Sequence, residues 1–147
     1  MAINISLFVI DPERGPRDEA DFADATDLAA LLTPEREAGL EITSGNAQLI
    51  IHDTLDDLIL GVCVGGAQIL ASGATFRNVS FAGFDSTEIA TDGDMARFSI
   101  GDNGLTAPRE EAIAALREQA GRFGQLLKQV YPQDPVRARE FIEFAGG

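Results

Sequence analysis

Hydrophobic and polar positions alternate or recur at helical spacing over most of the chain, and they divide it into strands and helices. Residues 2–10 begin as an alternation and then run apolar, which predicts a strand that becomes buried. Residues 11–19 contain two prolines, one glycine and charges of both signs without a period, which predicts a loop. Apolar residues at helical spacing between Asp21 and Leu32, closed by Pro34, predict a short helix.

A hairpin and a long apolar helix follow. Two strand-like segments flank the turn-forming triplet Ser44-Gly45-Asn46, which predicts a β-hairpin. Asp53 is expected to cap a helix that runs from Thr54 to about Ser72, where Gly73 ends it. Apolar residues lie on nearly all sides of this helix, so we expect it to be largely buried.

A run of strands comes next. Residues 75–81, 86–91 and 95–100 are strand-like, and the dipeptides Asp92-Gly93 and Asn103-Gly104 predict hairpin turns after the second and third of them. An antiparallel meander is the expected arrangement.

Two helices close the chain. Residues 108–131 carry an apolar stripe at helical spacing, and a shorter helix is predicted from about Asp134. The expected fold is therefore α+β, with a mostly antiparallel sheet of five to seven strands, two main helices packed on it and a short C-terminal helix. Neither a linker nor a repeat is visible, so residues 1–147 are predicted to form a single domain.

Net charge is the strongest compositional feature. The 147 residues include 24 Asp and Glu against 11 Lys and Arg, a formal net charge of −13. Residues 1–107 carry all of this excess, because residues 108–147 hold six acidic and six basic side chains. A surface of this sign attracts basic proteins and repels nucleic-acid phosphates and anionic lipid head groups. Charge therefore favours a basic protein partner over nucleic acid or a membrane, and solubility alone is the alternative explanation.

Two acidic clusters are the candidate partner-binding surfaces. The first lies within residues 11–27, and the second runs from Phe84 to Asp94. An aromatic anchor ringed by carboxylates is what a site for a basic protein requires, and a solvated loop with one buried phenylalanine is the alternative. The candidate binding residues are Asp18, Glu19 and Asp21 in the first cluster and Phe84, Asp85, Glu88, Asp92 and Asp94 in the second.

Residues that commonly carry catalysis or bind metals are scarce. His52 is the only histidine and Cys63 the only cysteine, so the sequence offers no two-histidine zinc site. His52 and Asp53 are neighbours at the end of a predicted strand and should point to opposite faces, which disfavours an acid–base pair. Cys63 lies in an apolar run and is expected to be buried and unreactive.

Motifs for phosphate and calcium binding are also missing from the sequence. Gly61 and Gly65-Gly66 lie inside the predicted helix and lack the Lys-Ser/Thr of a phosphate-binding loop. The Asp-rich turns at residues 92–94 and 101–104 lack the spacing of an EF-hand. We therefore predict no cofactor, no metal ion and no catalytic activity.

The start of the chain bears on its location. Its apolar stretch, residues 2–10, has no basic region before it and no small-residue cleavage site after it. No apolar run in the sequence reaches the length of about 20 residues that a helix needs to cross a bilayer. We expect a soluble, cytoplasmic protein.

Part of this pattern resembles a known class of protein. Residues 48–123 combine a strand ending in LIIHDTLDDL at residues 49–58, a buried helix closing at residues 70–73, strands carrying Val79-Ser80-Phe81 and an amphipathic helix. This arrangement is similar to the small acidic bacterial immunity proteins of polymorphic or contact-delivered toxin systems. The resemblance implies a stoichiometric inhibitor that covers the active site of a basic toxin and performs no chemistry of its own.

Three classes of function follow from the sequence. A non-catalytic, immunity-type inhibitor of a basic toxin or effector is the leading hypothesis. A structural or assembly protein of a phage or secretion system, forming oligomers through an apolar edge, is the alternative. An enzyme with an unrecognised carboxylate site is the third.

Overall fold

The computed structural model is an α+β structure, as the sequence predicts. It describes residues 3–18, 31–78, 87–101, 103–133 and 135–145. Within these ranges the chain forms two four-stranded antiparallel sheets and three helices. The helix expected between Asp21 and Leu32 lies outside the described residues except for its last two positions, Leu31 and Leu32, which are buried.

The first sheet is built from the N-terminal third of the chain. Its four strands, in the spatial order β2-β1-β3-β4, are β1 (Ile3–Asp11), β2 (Gly15–Asp18), β3 (Glu37–Ser44) and β4 (Ala47–Thr54). Every second side chain of β1 is buried, as the alternation predicts. A two-residue turn that begins at Gly45, with φ +61°, joins β3 to β4, which confirms the predicted hairpin.

Strand β2 corrects the loop expected over residues 11–19. Its backbone pairs with β1, from Asp11 opposite Gly15 to Phe8 opposite Asp18. The segment shows no hydrophobic period because β2 is the outermost strand of its sheet. Proline and charged residues are tolerated at such an edge.

Helix α1 (Leu55–Ser72) begins directly after β4 and ends at Gly73, whose φ of +80° is left-handed. Thr54, not Asp53, is the N-cap residue. Asp53 points to the core face of the sheet and is 5% exposed, and its Oδ1 accepts the amide N–H of Thr54 at 2.8 Å. The central residues, Leu58–Gly65, are π-helical, which no sequence signal indicates.

Burial of α1 is less complete than expected. The side facing the two sheets and the other helices is fully packed, while the opposite side, including Leu60 and Ile69, is only partly covered. The buried residues are Leu55, Leu58, Ile59, Val62, Cys63, Val64, Gly66, Ala67 and Leu70.

The second sheet follows α1. Its strands, in the spatial order β5-β6-β7-β8, are β5 (Thr75–Asn78), β6 (Thr87–Asp92), β7 (Met95–Ile100) and β8 (Asn103–Pro108). The turn expected at Asn103-Gly104 instead begins at Gly101, with φ +55°, so that Ile100 pairs with Asn103. Glycine at the first central position favours a type II′ turn, and this outweighs the Asn-Gly signal.

The sequence predicts a single sheet of five to seven strands, and this is wrong because the described residues form two sheets of four strands each. Strands β4 and β8 lie beside each other without forming a ladder, and Ser44 Oγ donates a hydrogen bond to the carbonyl oxygen of Thr106 at 3.0 Å. Hydrophobic alternation tells which face of a strand is buried, but it does not tell which strands pair across the fold.

Helix α2 (Arg109–Val130) begins directly after β8 and packs against α1 and strands of both sheets. Its buried stripe follows the predicted spacing. Phe123, at the centre of this stripe, meets Phe141 of helix α3 (Pro135–Ala145) edge to face, with ring centroids 4.9 Å apart. The two helices approach closely at Gly124, where an added Cβ would lie 2.7 Å from Ile142 Cγ1.

Arg137 ties α3 to the start of α1. Its Nε donates a hydrogen bond to Asp56 Oδ2 at 2.9 Å and its Nη2 donates to Oδ1, which makes the pair bidentate. Its guanidinium carbon lies 5.7 Å and 5.9 Å from the ring centroids of Tyr131 and Phe123. Bidentate pairing and cation–π contact both restrict the side chain to one position, so α3 is held in a fixed orientation.

Two parts of the chain have a similar arrangement of strands and a helix. Strands β1, β3 and β4 are neighbouring antiparallel strands, and β4 leads without a loop into α1; β6, β7 and β8 are arranged in the same way, and β8 leads without a loop into α2. We call these the first and second units. Each also has an extra strand at its outer edge, β2 or β5. The similarity is one of spatial arrangement, because β2 follows β1 in the chain whereas β5 precedes β6.

Candidate functional site

The second acidic cluster lies on the outer face of the second sheet. Along β6, Thr87 and Ile89 face the core, which leaves Glu88 and Asp92 on the outer side. In β7 the core side belongs to Ala96 and Phe98. Met95 and Arg97 therefore share the outer face with the acids, Met95 directly opposite Asp92 in the register.

The turn between β6 and β7 is fixed in place. Gly93, with φ +61°, occupies the first central position, which suits a two-residue type II′ turn. The carbonyl oxygen of Asp94 accepts the amide N–H of Arg109 at 2.8 Å. This bond satisfies one of the free N–H groups at the start of α2 and holds the turn against the helix. Asp92 and Asp94 are thus presented to solvent from an anchored backbone.

Charges on this hairpin are only partly neutralised. Arg97 Nη2 lies 3.7 Å from Glu88 Oε1, with both side chains part-exposed, and such a pair contributes at most about 1 kcal/mol. Neither Asp92 nor Asp94 has an ion pair within 4.0 Å among the described residues. Beside them Met95 is 38% exposed, one of the few large hydrophobic side chains on the described surface. We call Glu88, Asp92, Asp94 and Met95 the β6–β7 surface.

The structure places the predicted binding residues in two separate regions. Glu88, Asp92 and Asp94 lie on one hairpin, whereas Asp18 lies on β2, at the outer edge of the other sheet. Phe84, Asp85, Glu19 and Asp21 fall outside the described residues. Sequence reasoning missed Met95, although its position opposite an outward-facing Asp, two residues after the turn glycine, indicates an exposed residue.

The outer face of the first sheet carries a different chemistry. Phe8 lies over Gly39 and meets His52 edge to face, with ring centroids 5.9 Å apart. An alanine at residue 39 would overlap the ring of Phe8, so glycine is needed for this contact. Ile50, two residues before His52 on the same face of β4, is 39% exposed. This face also carries acid, because Glu41 of β3 lies directly beside Ile50 and Asp18 lies opposite Phe8 at its edge.

The arrangement of His52 and Cys63 follows the sequence expectation. His52 lies on the outer face of β4 and the buried Asp53 on the core face, so the two side chains diverge. Cys63 is fully buried in α1. Within the described residues, no group of three or more His, Cys, Asp or Glu side chains is arranged to hold a metal ion.

Helix α1 is also long and apolar enough to cross a membrane, judged by length and composition alone. It has 18 residues with a mean hydropathy of 1.5, and 44% of it is buried. Core helices of soluble proteins have the same properties, so this is weak evidence for a membrane span.

Comparison with known proteins gives no relative for this arrangement. No protein-family model, no curated protein and no solved structure matches the chain. The function is therefore argued from the surfaces of this structure.

Proposed function

We propose that this protein is a non-catalytic inhibitor of immunity type that acts in the cytoplasm and binds a basic toxin or effector through the β6–β7 surface. The observation that carries the proposal is an exposed Met95 beside the carboxylates of Asp92 and Asp94, which have no ion pair among the described residues, on an anchored turn. Phe84 and Asp85 precede this surface in the chain and belong to the proposed site as sequence-based candidates.

Methionine suits the centre of such a surface. Its unbranched thioether adapts to an irregular partner, and an apolar centre is shielded from water by the polar residues around it. The carboxylates at its rim select against acidic partners, because an unpaired like charge at an interface is costly. An anchored turn loses little conformational entropy when it binds.

Long-range charge supports the same reading. The acidic excess belongs wholly to residues 1–107, which include the β6–β7 surface, whereas residues 108–147 are neutral. A basic partner approaching the molecule is therefore steered toward its acidic part. Steering of this kind raises the association rate and weakens as salt screens the charges.

The proposal is tested by identifying the captured partner and measuring its binding kinetics. A pull-down from native cell extract should recover a basic protein, and its association rate should fall as ionic strength rises. Met95→Ala should raise the dissociation rate by about tenfold or more if the residue is a binding anchor. Ile50→Ala is the matched control, since Ile50 is equally exposed on the other sheet. An acidic partner, or equal effects of the two variants, would contradict the proposal.

An assembly subunit is the second candidate. The partly exposed side chains of Phe8 and Ile50 on the outer face of the first sheet favour it, because exposed apolar side chains are commonly covered in oligomers. Sedimentation of the purified chain separates the two functions: the inhibitor proposal expects a monomer without its partner, whereas the assembly candidate expects self-association that Ile50→Asp abolishes.

A further inference from the structure

A groove separate from the β6–β7 surface lies where the three helices meet. Its volume is about 570 Å³, within the range of small-molecule sites. Small aliphatic side chains form its floor: Val64 and Ala67 from α1 and Ala120 from α2. Val136 of α3, which is 68% exposed, lines its outer wall.

Charged side chains of both signs line the same groove. Arg117 comes from α2, and Arg139, Glu140 and Glu143 come from one face of α3. None of the four has an ion pair within 4.0 Å with another described residue.

Arginines differ in this respect among the described residues: Arg14 also lacks an ion pair, whereas five others have one. Elsewhere Arg17, Arg97, Arg109, Arg122 and Arg137 each lie beside a carboxylate. Arg117 and Arg139 have two glutamates in their own groove and still do not contact them. The groove therefore presents two guanidinium groups and two carboxylates that are all available to a ligand.

We propose that this groove binds a short apolar zwitterion, such as a free dipeptide. The ligand's carboxylate lies against Arg117 and Arg139, its ammonium group lies against Glu140 and Glu143, and its side chains cover the aliphatic floor. Guanidinium groups bind carboxylates through paired hydrogen bonds, and carboxylates bind ammonium groups as charge-assisted acceptors.

A ligand with both charges fits better than one with a single charge. The four lining charges sum to zero, so a simple anion meets the two glutamates and a simple cation meets the two arginines. A zwitterion satisfies both pairs. The apolar floor adds the requirement for hydrophobic side chains, since a purely polar ligand would leave it facing water.

Calorimetric titration of the full-length protein with leucyl-leucine and its capped forms tests the assignment. Leucyl-leucine should bind about tenfold more tightly than N-acetyl-leucyl-leucine, which lacks the ammonium group, or leucyl-leucinamide, which lacks the carboxylate. Glycyl-glycine, a zwitterion without apolar side chains, should bind more weakly than leucyl-leucine.

Two variants assign the charges to their partners. Arg117→Gln should abolish the preference for leucyl-leucine over the amide and keep the preference over the N-acetyl form, and Glu143→Gln should do the reverse. Arg14→Gln, an exposed arginine outside the groove, is the control and should leave all affinities unchanged.

Three results would overturn the proposal. Equal binding of the N-acetyl form would mean that the groove selects anions. Equal affinities across the groove variants would place the ligand elsewhere. No binding of any probe at about 10 mM would exclude a small zwitterion and leave a larger partner, such as a protein helix, as the occupant of this groove.

Discussion

The two units share a backbone plan but differ in what they expose. Each has three neighbouring antiparallel strands, the last of which leads directly into a helix. The apolar side chains buried on the core face of the strands are aliphatic in the first unit and include Phe98 in the second. On the outer face of the first unit, Phe8, His52 and Ile50 lie among the acids Glu37 and Glu41. On the outer face of the second unit, Glu88 is paired with Arg97, and Asp92 has no ion pair among the described residues.

The comparison indicates that core-facing residues determine the fold, whereas outward-facing residues determine how the two surfaces differ. Core-facing positions in both units have the same requirement, because any apolar side chain of suitable volume stabilises antiparallel strands packed against a helix. Outward-facing positions are not constrained by the core. Their chemistry is therefore where the two units can acquire separate roles: the first exposes Phe8 and Ile50 among its acids, and the second exposes acids around Met95.

The largest expected effect tests whether the two units share one core. Phe123 is 1% exposed, and α2 also reaches the first unit through Arg122 Nη2, which donates to the carbonyl oxygen of Ile5 at 2.8 Å. Phe123→Ala should lower the free energy of unfolding by about 3–5 kcal/mol, because it leaves a cavity against Phe141. Urea unfolding should remain a single transition. A loss below about 1 kcal/mol would mean that this face of α2 is exposed to solvent, and two transitions would show that the units are energetically independent.

A smaller effect is expected from replacing a helical glycine by alanine, and it should differ between the helices of the two units. Gly124→Ala in α2 should cost about 1–3 kcal/mol, because the new Cβ would lie 2.7 Å from Ile142 and 3.0 Å from the carbonyl oxygen of Ala138. Gly61→Ala in α1 is the matched control. Nothing lies within 4 Å of its added Cβ, so the gain in helix propensity should stabilise the protein by up to about 1 kcal/mol. Thermal unfolding shows whether each variant is more or less stable than the unsubstituted protein. Stabilisation by Gly124→Ala would mean that α3 is not packed as described.

The smallest expected effect comes from removing the charge of Asp11, near the edge of the first sheet. The amide of Glu13 donates to Asp11 Oδ1 at 2.9 Å and holds the pKa of this carboxyl below its ordinary value of 3.8, with Arg17 acting in the same direction against partial desolvation. A lowered pKa stabilises the fold above the ordinary pKa, and this contribution disappears as pH falls through the lowered value. Asp11→Asn should therefore be less stable than the unsubstituted protein near neutral pH, and the difference should shrink in acid. Urea unfolding across pH measures it, and a difference that grows in acid would contradict this role.

Strands and helices with a clear period could be predicted from the sequence. The alternation of β1, the hairpin at Gly45, the end of α1 at Gly73 and the stripe of α2 all depend on local patterns that the structure confirms. Strand β2 was missed because edge strands need no apolar period. The division into two sheets was missed because strand pairing depends on contacts between distant segments.

The candidate site was only partly readable for a related reason. Acidic residues can be counted in a sequence, but their pairing cannot, so the ion pair of Glu88 with Arg97 was not foreseen. Met95 was overlooked because exposure depends on register. The helical groove brings together residues from 64 to 143, a separation over which no sequence period gives information.

The central claim is that the acidic face of the second unit, and not acid elsewhere, binds the partner. The most direct test compares association rates of two charge-reversal variants with the captured partner at low salt. Asp92→Lys with Asp94→Lys should slow association by about tenfold or more, whereas Glu37→Lys with Glu41→Lys, on the outer face of the first sheet and with the same change in net charge, should have a much smaller effect. Equal slowing by both pairs would mean that net charge alone, and not this surface, controls association. No slowing by either pair would contradict the proposal that the acidic face of the second unit binds the partner.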